Sequence, residues 1–300
     1  MPLMTNPLKE LRALAAQAEN RRTETGIPRV AMVQGEIPEH LLAAVYEPMI
    51  NLILQGSKSM TIADRTLRYD PATYFVMSIE LPAVGQVHPS AHGEPYLAVS
   101  LTLDPTVLAT LLADLPKPGG HYDKNAGFSV APVTPDLMDA WVRLLRLMNR
   151  PEDIAALAPV YEREILYRVL QGPHGWMLRD IAAPDSAMAR VSLAIQYIRR
   201  DFAESIRVET LAQRAAMSVS AFHRHFKAVT ALSPLQYQKR VRLLQARTLM
   251  VANAKSVTNA AFEVGYESAT QFSRDYARVF GLPPARDAAR ILGETRGERR

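Results

Sequence analysis

The chain of 300 residues contains no cysteine. That absence excludes disulfides, thiolate nucleophiles, thiol redox sensing and cysteine-ligated zinc or iron–sulfur centres together. Long apolar runs are missing too, since none approaches the roughly 18 residues that a membrane helix needs. The opening MPLMTNPLKELRALAAQ has no continuous apolar core of signal-peptide type, so a cytoplasmic protein without a membrane partner is expected. What remains is ordinary for a soluble globular protein, with 48% apolar and 22% charged residues and enough length for two domains.

Charge is not spread evenly. Residues 188–300 hold 19 Lys+Arg against 9 Asp+Glu, whereas residues 1–187 hold 16 against 21. A basic third on an acidic remainder is the footprint of a domain that meets a polyanion, although a solvated basic surface gives the same count.

Patterning divides the chain further. Residues 1–25 read as a short amphipathic helix or a loose arm, with Leu8, Leu11 and Leu14 at spacing three. From about residue 44, PMINLILQG, SMTIAD, TLRYD, TYFVMSI and PYLAVSLTL are short β-favouring runs separated by turns such as Ala63-Asp64 and Asp70-Pro71. Closely spaced short strands predict a sandwich or small barrel. After Leu103 the pattern turns helical. Asp104-Pro105 opens a helix over 104–115, and Gly119-Gly120 through Pro132 reads as a loop. Thr134-Pro135 opens a second helix over 134–150, and a third runs over 151–170. These last two are either a lid or an oligomer contact, with the contact favoured. Gly172, Pro173, Gly175 and Pro184 mark 171–188 as a linker, beyond which the chain is helical and basic.

Within that basic third one short pattern occurs twice. SAFHRHFKAVTALSP at 220–234 and TQFSRDYARVFGLPP at 270–284 share Phe222/Phe272, Arg224/Arg274, Val229/Val279, Leu232/Leu282 and Pro234/Pro284 at an offset of fifty, and Phe226 falls opposite Tyr276. The apolar positions lie at i, i+4 and i+7, one face of a helix. The opposite face carries Ser220, His223, Arg224 and Lys227 in one copy and Thr270, Gln271, Arg274 and Arg278 in the other, all hydrogen-bond donors. Ser218 and Ser268 are N-cap candidates, the second in an S-x-x-Q box with Gln271. Short helices precede both, at 209–217 and 256–265. This is the layout of two helix-turn-helix units, whose second helices enter the DNA major groove. A single copy would suit an ordinary α-bundle; two copies on a basic segment favour DNA. SPLQYQKRVRLLQARTLMV (233–251) reads as one continuous helix between them, about 28 Å long. Such a rod suits readers about 34 Å, one DNA turn, apart.

LAQRAAMSVSAFHRHFK, LSPLQYQKRVRLLQAR and AFEVGYESATQFSRDYARVFGLPP resemble the DNA-binding domain of the AraC/XylS family of bacterial transcription regulators over 189–291. YEPMINLILQGSKSM, RYDPATYFVMSIELPAVGQV and PYLAVSLTLDP resemble the N-terminal domain of one subfamily. The resemblance implies an α+β chain: a cupin-like β-barrel with flanking helices over 26–170 for sensing or dimerisation, a linker, two helix-turn-helix subdomains joined by a long helix, and a basic tail at 292–300. It implies double-stranded DNA as partner, a homodimer, a small-molecule effector and a contact with RNA polymerase, with no cofactor, no metal and no enzymatic activity. The family's base-reading places fall on Ser220, His223 and Arg224, and on Ala269, Thr270, Gln271 and Arg274. Arginine suits guanine bidentately and glutamine suits adenine, unless Gln271 is consumed by its own capping box. His223 could meet a base or a phosphate, while Lys227 and Arg278 suit phosphate. Three positions depart from the family pattern: Ala231 where glycine is usual, Ala277 where a basic residue is usual, and Asp287 where tyrosine is common.

Two enzyme readings compete. GQVHPSAHGEPY (85–96) sets His88, His92 and Glu94 in one stretch, and cupins include metal oxygenases, yet the H-x3-H spacing with Pro89 and Gly93 inside reads as a loop. His40 and His121 sit in no motif. A DNA-repair alkyl acceptor joined to this type of DNA-binding domain is excluded by the missing thiolate.

Overall fold

A computed structural model describes residues 6–18, 21–35, 42–71, 73–115 and 127–297. His40, His121 and the end of the basic tail lie outside the described residues.

The N-terminal half is built on strands β1 (Arg21–Glu24), β2 (Val30–Gln34), β3 (Ala43–Tyr46), β4 (Met49–Gln55), β5 (Ser57–Ile62), β6 (Arg65–Tyr69), β7 (Thr73–Met77), β8 (Leu81–His88), β9 (Leu97–Thr102) and β10 (Phe128–Pro132). They form two antiparallel sheets, one of six strands ordered β1-β2-β9-β4-β7-β10 and one of four ordered β3-β8-β5-β6. Side chains alternate across a strand, so the six-stranded sheet must satisfy two faces. Ile50, Leu52 and Leu54 of β4, with Val76 and Val99, face a helical layer. Ile53, Phe75, Met77, Ala98 and Phe128 face Met60, Ile62, Tyr69 and Leu81 of the four-stranded sheet. This is why β4 reads as an unbroken apolar run: both its faces are buried.

The helical layer consists of α1 (Pro7–Ala15), α2 (Pro105–Ala113), α3 (Pro135–Arg146), α4 (Ile154–Gln171) and α5 (Gly175–Ala182). Asp104 and Thr134 cap α2 and α3 ahead of proline, as their sequence signals require. Trp141, Leu144 and Leu145 of α3 pack on the sheet beside Ile165 and Leu166 of α4. Arg29 of the β1–β2 side pairs bidentately with the buried Glu162, locking α4 to the sheet.

Several sequence expectations change or are decided here; the expected loop over 119–132 ends in β10, which pairs with β7. Of the helix and the loose arm expected over 1–25, the described residues take the helix and not the arm: Leu11 and Leu14 of α1 are buried, Arg12 Nε donates to Leu54 O at 2.6 Å, and β1 extends the sheet. Nor is 171–188 a free linker. It contains α5, whose Met177 and Leu178 are fully buried, and Gly175 is needed because a Cβ there would stand 2.1 Å from Leu170 O. The glycines and prolines mark close packing and helix ends rather than slack.

The C-terminal part holds α6 (Ala187–Arg200), α7 (Val208–Arg214), α8 (Val219–Thr230), α9 (Pro234–Ala252), α10 (Val257–Glu263), α11 (Ala269–Phe280) and α12 (Pro284–Gly297). A capping box between Ser233 and Gln236, with Pro234 at the first turn, starts α9. The domains touch through side chain and backbone. Tyr237 Oη donates to Glu80 O at 3.0 Å, Arg199 pairs with Glu80 at 2.6 Å, and Gly127 N donates to Val229 O at 2.8 Å.

Candidate nucleic-acid interface

Helices α7–α8 and α10–α11 form two matching helix-turn-helix units on either side of α9. Their turns use the left-handed backbone at Ala216 (φ 50°) and Gly265 (φ 85°). Only the second excludes a side chain outright, since a Cβ on Gly265 would stand 1.9 Å from Ala203 O. The second helix of each unit begins on a serine whose hydroxyl accepts a backbone N–H at 3.3 Å: Ser218 from Ala221 and Ser268 from Gln271. Each ends on a left-handed residue, Ala231 at φ 61° and Gly281 at φ 77°. Ala231 thus adopts the strained conformation that glycine would take freely.

Phe222, Phe226 and Val229 bury one side of α8, and Phe272 and Tyr276 bury the same side of α11. The other side is left to solvent. Ser220, His223, Arg224 and Lys227 are exposed on α8, as are Thr270, Gln271, Arg274 and Arg278 on α11, with Ala269 half-buried at its start. The guanidiniums of Arg224 and Arg274 and the ammonium of Lys227 form no hydrogen bond or ion pair with a described residue. Exposed donors without internal partners are available to an external acceptor. The expected Ser268–Gln271 box is only half made: the serine hydroxyl is used, but the Gln271 side chain does not return to the Ser268 backbone. Its side-chain amide stays exposed.

Arg278 differs from the other exposed cations. It lies 3.8 Å from Asp275, which Lys239 also holds at 2.9 Å, and it lines a groove with Thr61, Pro82 and Val84 of the β-domain. Asp287 has a structural task that sequence reading missed. It is wholly buried and receives Arg247 Nε and Nη2 at 2.8 and 3.1 Å, Tyr276 Oη at 2.8 Å and Arg290 at 2.9 Å. Burial works to raise its carboxyl, but these hydrogen bonds outweigh it and hold the group below the usual carboxylate value. The network pins α12 to α9 and α11.

A second feature missed in sequence is the grip of α9. Arg242 donates to the carbonyls of Phe202, Ala203, Glu204 and Gly265, and Gln238 donates to those of Phe202 and Glu204. One guanidinium therefore ties the loop before α7 to the turn of the second unit. The sequence reading of 233–251 as one helix gave α9 in advance; nothing local signalled the grip.

The loop histidines do not assemble. His88 sits on the outer side of the four-stranded sheet against Ser59 Oγ at 3.2 Å, while His92 and Glu94 are exposed in the following loop. Among the described residues no three His, Asp or Glu side chains are grouped to hold a metal.

Paired helix-turn-helix units behind an antiparallel β-domain define the class of one-chain DNA-binding regulators with an N-terminal domain. The family described as AraC-type transcriptional regulator N-terminus matches residues 26–177, and a helix-turn-helix domain family matches residues 211–290. The chain belongs to the AraC-type family of transcriptional regulators. Among curated relatives it is 34% identical over 145 residues to the HTH-type transcriptional activator RhaS of Escherichia fergusonii, covering 46% of this chain and 51% of that one. RhaS of Salmonella schwarzengrund is 30% identical over 145 residues, covering 47% and 51%. The chain thus spans about half the length of the curated relatives it matches. In fold it is similar to ToxT from Vibrio cholerae strain SCE256 in its unsaturated fatty acid bound form, with TM-score 0.54 at 10% identity over 86% of this chain and 94% of that one. No helix among the described residues is long and apolar enough to cross a membrane.

Proposed function

We propose that the protein is a sequence-specific transcription regulator that binds double-stranded DNA in the cytoplasm as a homodimer. One observation carries this reading. Two matched helices bury their aromatic sides and leave unpartnered donors on the other. On this reading Ser220, His223 and Arg224 of α8 and Ala269, Thr270, Gln271 and Arg274 of α11 meet base edges in successive major grooves. Lys227 and Arg278 meet phosphate, which sets register without reading sequence. RNA polymerase is the protein partner that this role implies, and the reading involves no catalysis.

The N-terminal domain then senses a small molecule and supplies the dimer contact. Val160 and Tyr167 on the outward side of α4 are exposed apolar residues suited to that contact. An effector would act by biasing the contacts that Glu80 and Gly127 make with the first unit, shifting an existing equilibrium.

Selection of bound sequences from random DNA with the full-length protein tests this. Two half-elements about one helical turn, roughly 34 Å, apart are expected. Arg224→Ala and Arg274→Ala should each relax preference in a different half, at about 1–3 kcal/mol apiece. A full-length protein that enriches no sequence would refute the proposal, and two variants that select like the parent would refute the reader assignment.

A further inference from the structure

Where the second helix-turn-helix unit faces the β-domain, a groove of about 310 Å³ runs between β5 and β8 on one side and α9 and α11 on the other. That volume is at the small end of small-molecule sites. Pro82, Val84, Leu244 and Val279 make its apolar sides. Its one hydroxyl, Thr61 Oγ1, is already met by Thr66 Oγ1 at 2.9 Å. The other polar groups lining it are two guanidiniums, Arg240 of α9 and Arg278 of α11.

Arg240 is half-buried, yet it forms no hydrogen bond or ion pair with a described residue. Burial alone draws its pKa down. At Arg199 burial pulls the same way, but the hydrogen bond and charge of Glu80 outweigh it and the net direction is up. No such carboxylate offsets the burial of Arg240. Arg278 stands at the edge of the groove, 80% exposed, and its nearest acid is Asp275 at 3.8 Å. Lys239 already holds that acid at 2.9 Å. Three cations thus share one carboxylate. Asp64, exposed in the adjoining β5–β6 turn, pairs with neither arginine.

Two surplus positive charges on one small groove repel each other unless an anion lies between them. Their planar forks suit the three terminal oxygens and double charge of a phosphoryl group, whereas a carboxylate brings two oxygens and one charge. Walls without a free hydroxyl or amide suit a compact apolar body better than a sugar. We propose that this groove binds a small phosphate monoester, its phosphoryl group between Arg240 and Arg278 and its body against Val84 and Leu244. Arg278 also belongs to the exposed face of α11, so the bound phosphoryl group withdraws it from the DNA backbone. That competition rests on reading Arg278 as a DNA phosphate contact; the binding itself does not.

The probe is phenyl phosphate, titrated calorimetrically into the full-length protein at constant ionic strength, beside benzoate and phenol. Phenyl phosphate should bind about tenfold or more tighter than benzoate. Arg240→Gln should lower that affinity about tenfold, as for a lost charge-assisted contact, and should melt at or above the parent temperature because no partner is orphaned. Arg240→Lys keeps the charge without the fork and should fall between. Saturating phenyl phosphate should weaken the parent's binding to its selected DNA about tenfold, and leave that of Arg240→Gln unchanged. The site is overturned if phenyl phosphate and benzoate bind alike, if no probe binds, or if Arg240→Gln binds phenyl phosphate like the parent. It is equally overturned if Arg240→Gln melts well below the parent, the mark of a structural arginine. So too if that variant, without ligand, loses as much DNA affinity as Arg278→Gln, which would make the groove part of the DNA footprint. Phosphate-selective binding that leaves DNA affinity untouched would keep the site and overturn the competition. A chain that selects no DNA would remove the regulator reading and leave the calorimetry to decide the site.

Discussion

The two helix-turn-helix units share a pattern at an offset of fifty and differ in what completes each one. In the first, Phe226 stacks edge-on against Tyr237 at 5.6 Å, and the Tyr237 hydroxyl leaves the unit to reach Glu80 O of the β-domain. In the second, the hydroxyl has moved to Tyr276, and the place of Tyr237 is taken by Asp287, which closes on Tyr276, Arg247 and Arg290 within the unit. The first unit shares a core with the β-domain, whereas the second keeps its own around Leu243, Ala260, Phe272 and Tyr276. The same amphipathic helix thus serves one unit that shares its core with the β-domain and one that has a core of its own. The first unit touches the β-domain directly, and the second faces it across the groove that Arg278 and Val279 share with Thr61, Pro82 and Val84.

The largest expected way to break this contrast is Arg247→Ala. Removing one partner of a buried ion pair costs about 3–5 kcal/mol. Hydrogen exchange should show α10–α12 losing protection while α7–α8 keep theirs; equal loss in both units would mean that the second is not autonomous. The same network has a pH signature. Asp287 has a folded value below its ordinary 3.8, so its contribution is full above that pH and is lost as pH falls further, through the folded value. Acid titration followed by exchange should therefore open α12 before α8.

Gly265→Ala comes next. A Cβ 1.9 Å from Ala203 O at φ 85° should cost about 2–4 kcal/mol by overpacking and left-handed strain together, measured by urea unfolding. The matching Ala216 already carries a Cβ at φ 50°, so Ala216→Gly should change stability far less. Tyr237→Phe removes the hydrogen bond to Glu80 and should cost about 1 kcal/mol, with exchange rising along the face between α9 and the sheets. The smallest effect is a gain. Ala231→Gly relieves left-handed strain of about 1–2 kcal/mol against a chain-entropy loss of about 0.4–1 kcal/mol, a net rise of about 0–1.6 kcal/mol, midpoint about 0.8, in denaturant unfolding. A loss there would mean that the turn is held by contacts rather than strained.

Much of both units was legible from local pattern. The apolar residues at i, i+4 and i+7, Ser218 and Ser268 as caps, and the unbroken helix over 233–251 all appear as expected. The short apolar runs did become strands of antiparallel sheets. The exposed faces of α8 and α11 were legible for the same reason, since Arg224 and Arg274 are opposite the buried rings by helical period alone. The 171–188 segment misled because glycine and proline serve close packing as readily as slack. Gly175 lies where two helices meet backbone to backbone.

The sequence by itself determined that the central strands and most of the helices form, which side of these is apolar, and that one helix pattern occurs twice. Those properties follow from the periodicities of single elements and from capping groups three residues apart. Only the tertiary structure decided that Asp287 lies sealed among Arg247, Tyr276 and Arg290, that Arg242 joins two units, that Tyr237 reaches Glu80, and that Lys58 points inward over the Tyr46 ring. Each of these depends on residues tens of positions apart, or on which face of a strand another sheet covers. Local spacing carries no record of either, because the energy that selects them arises only when distant elements exclude water between them.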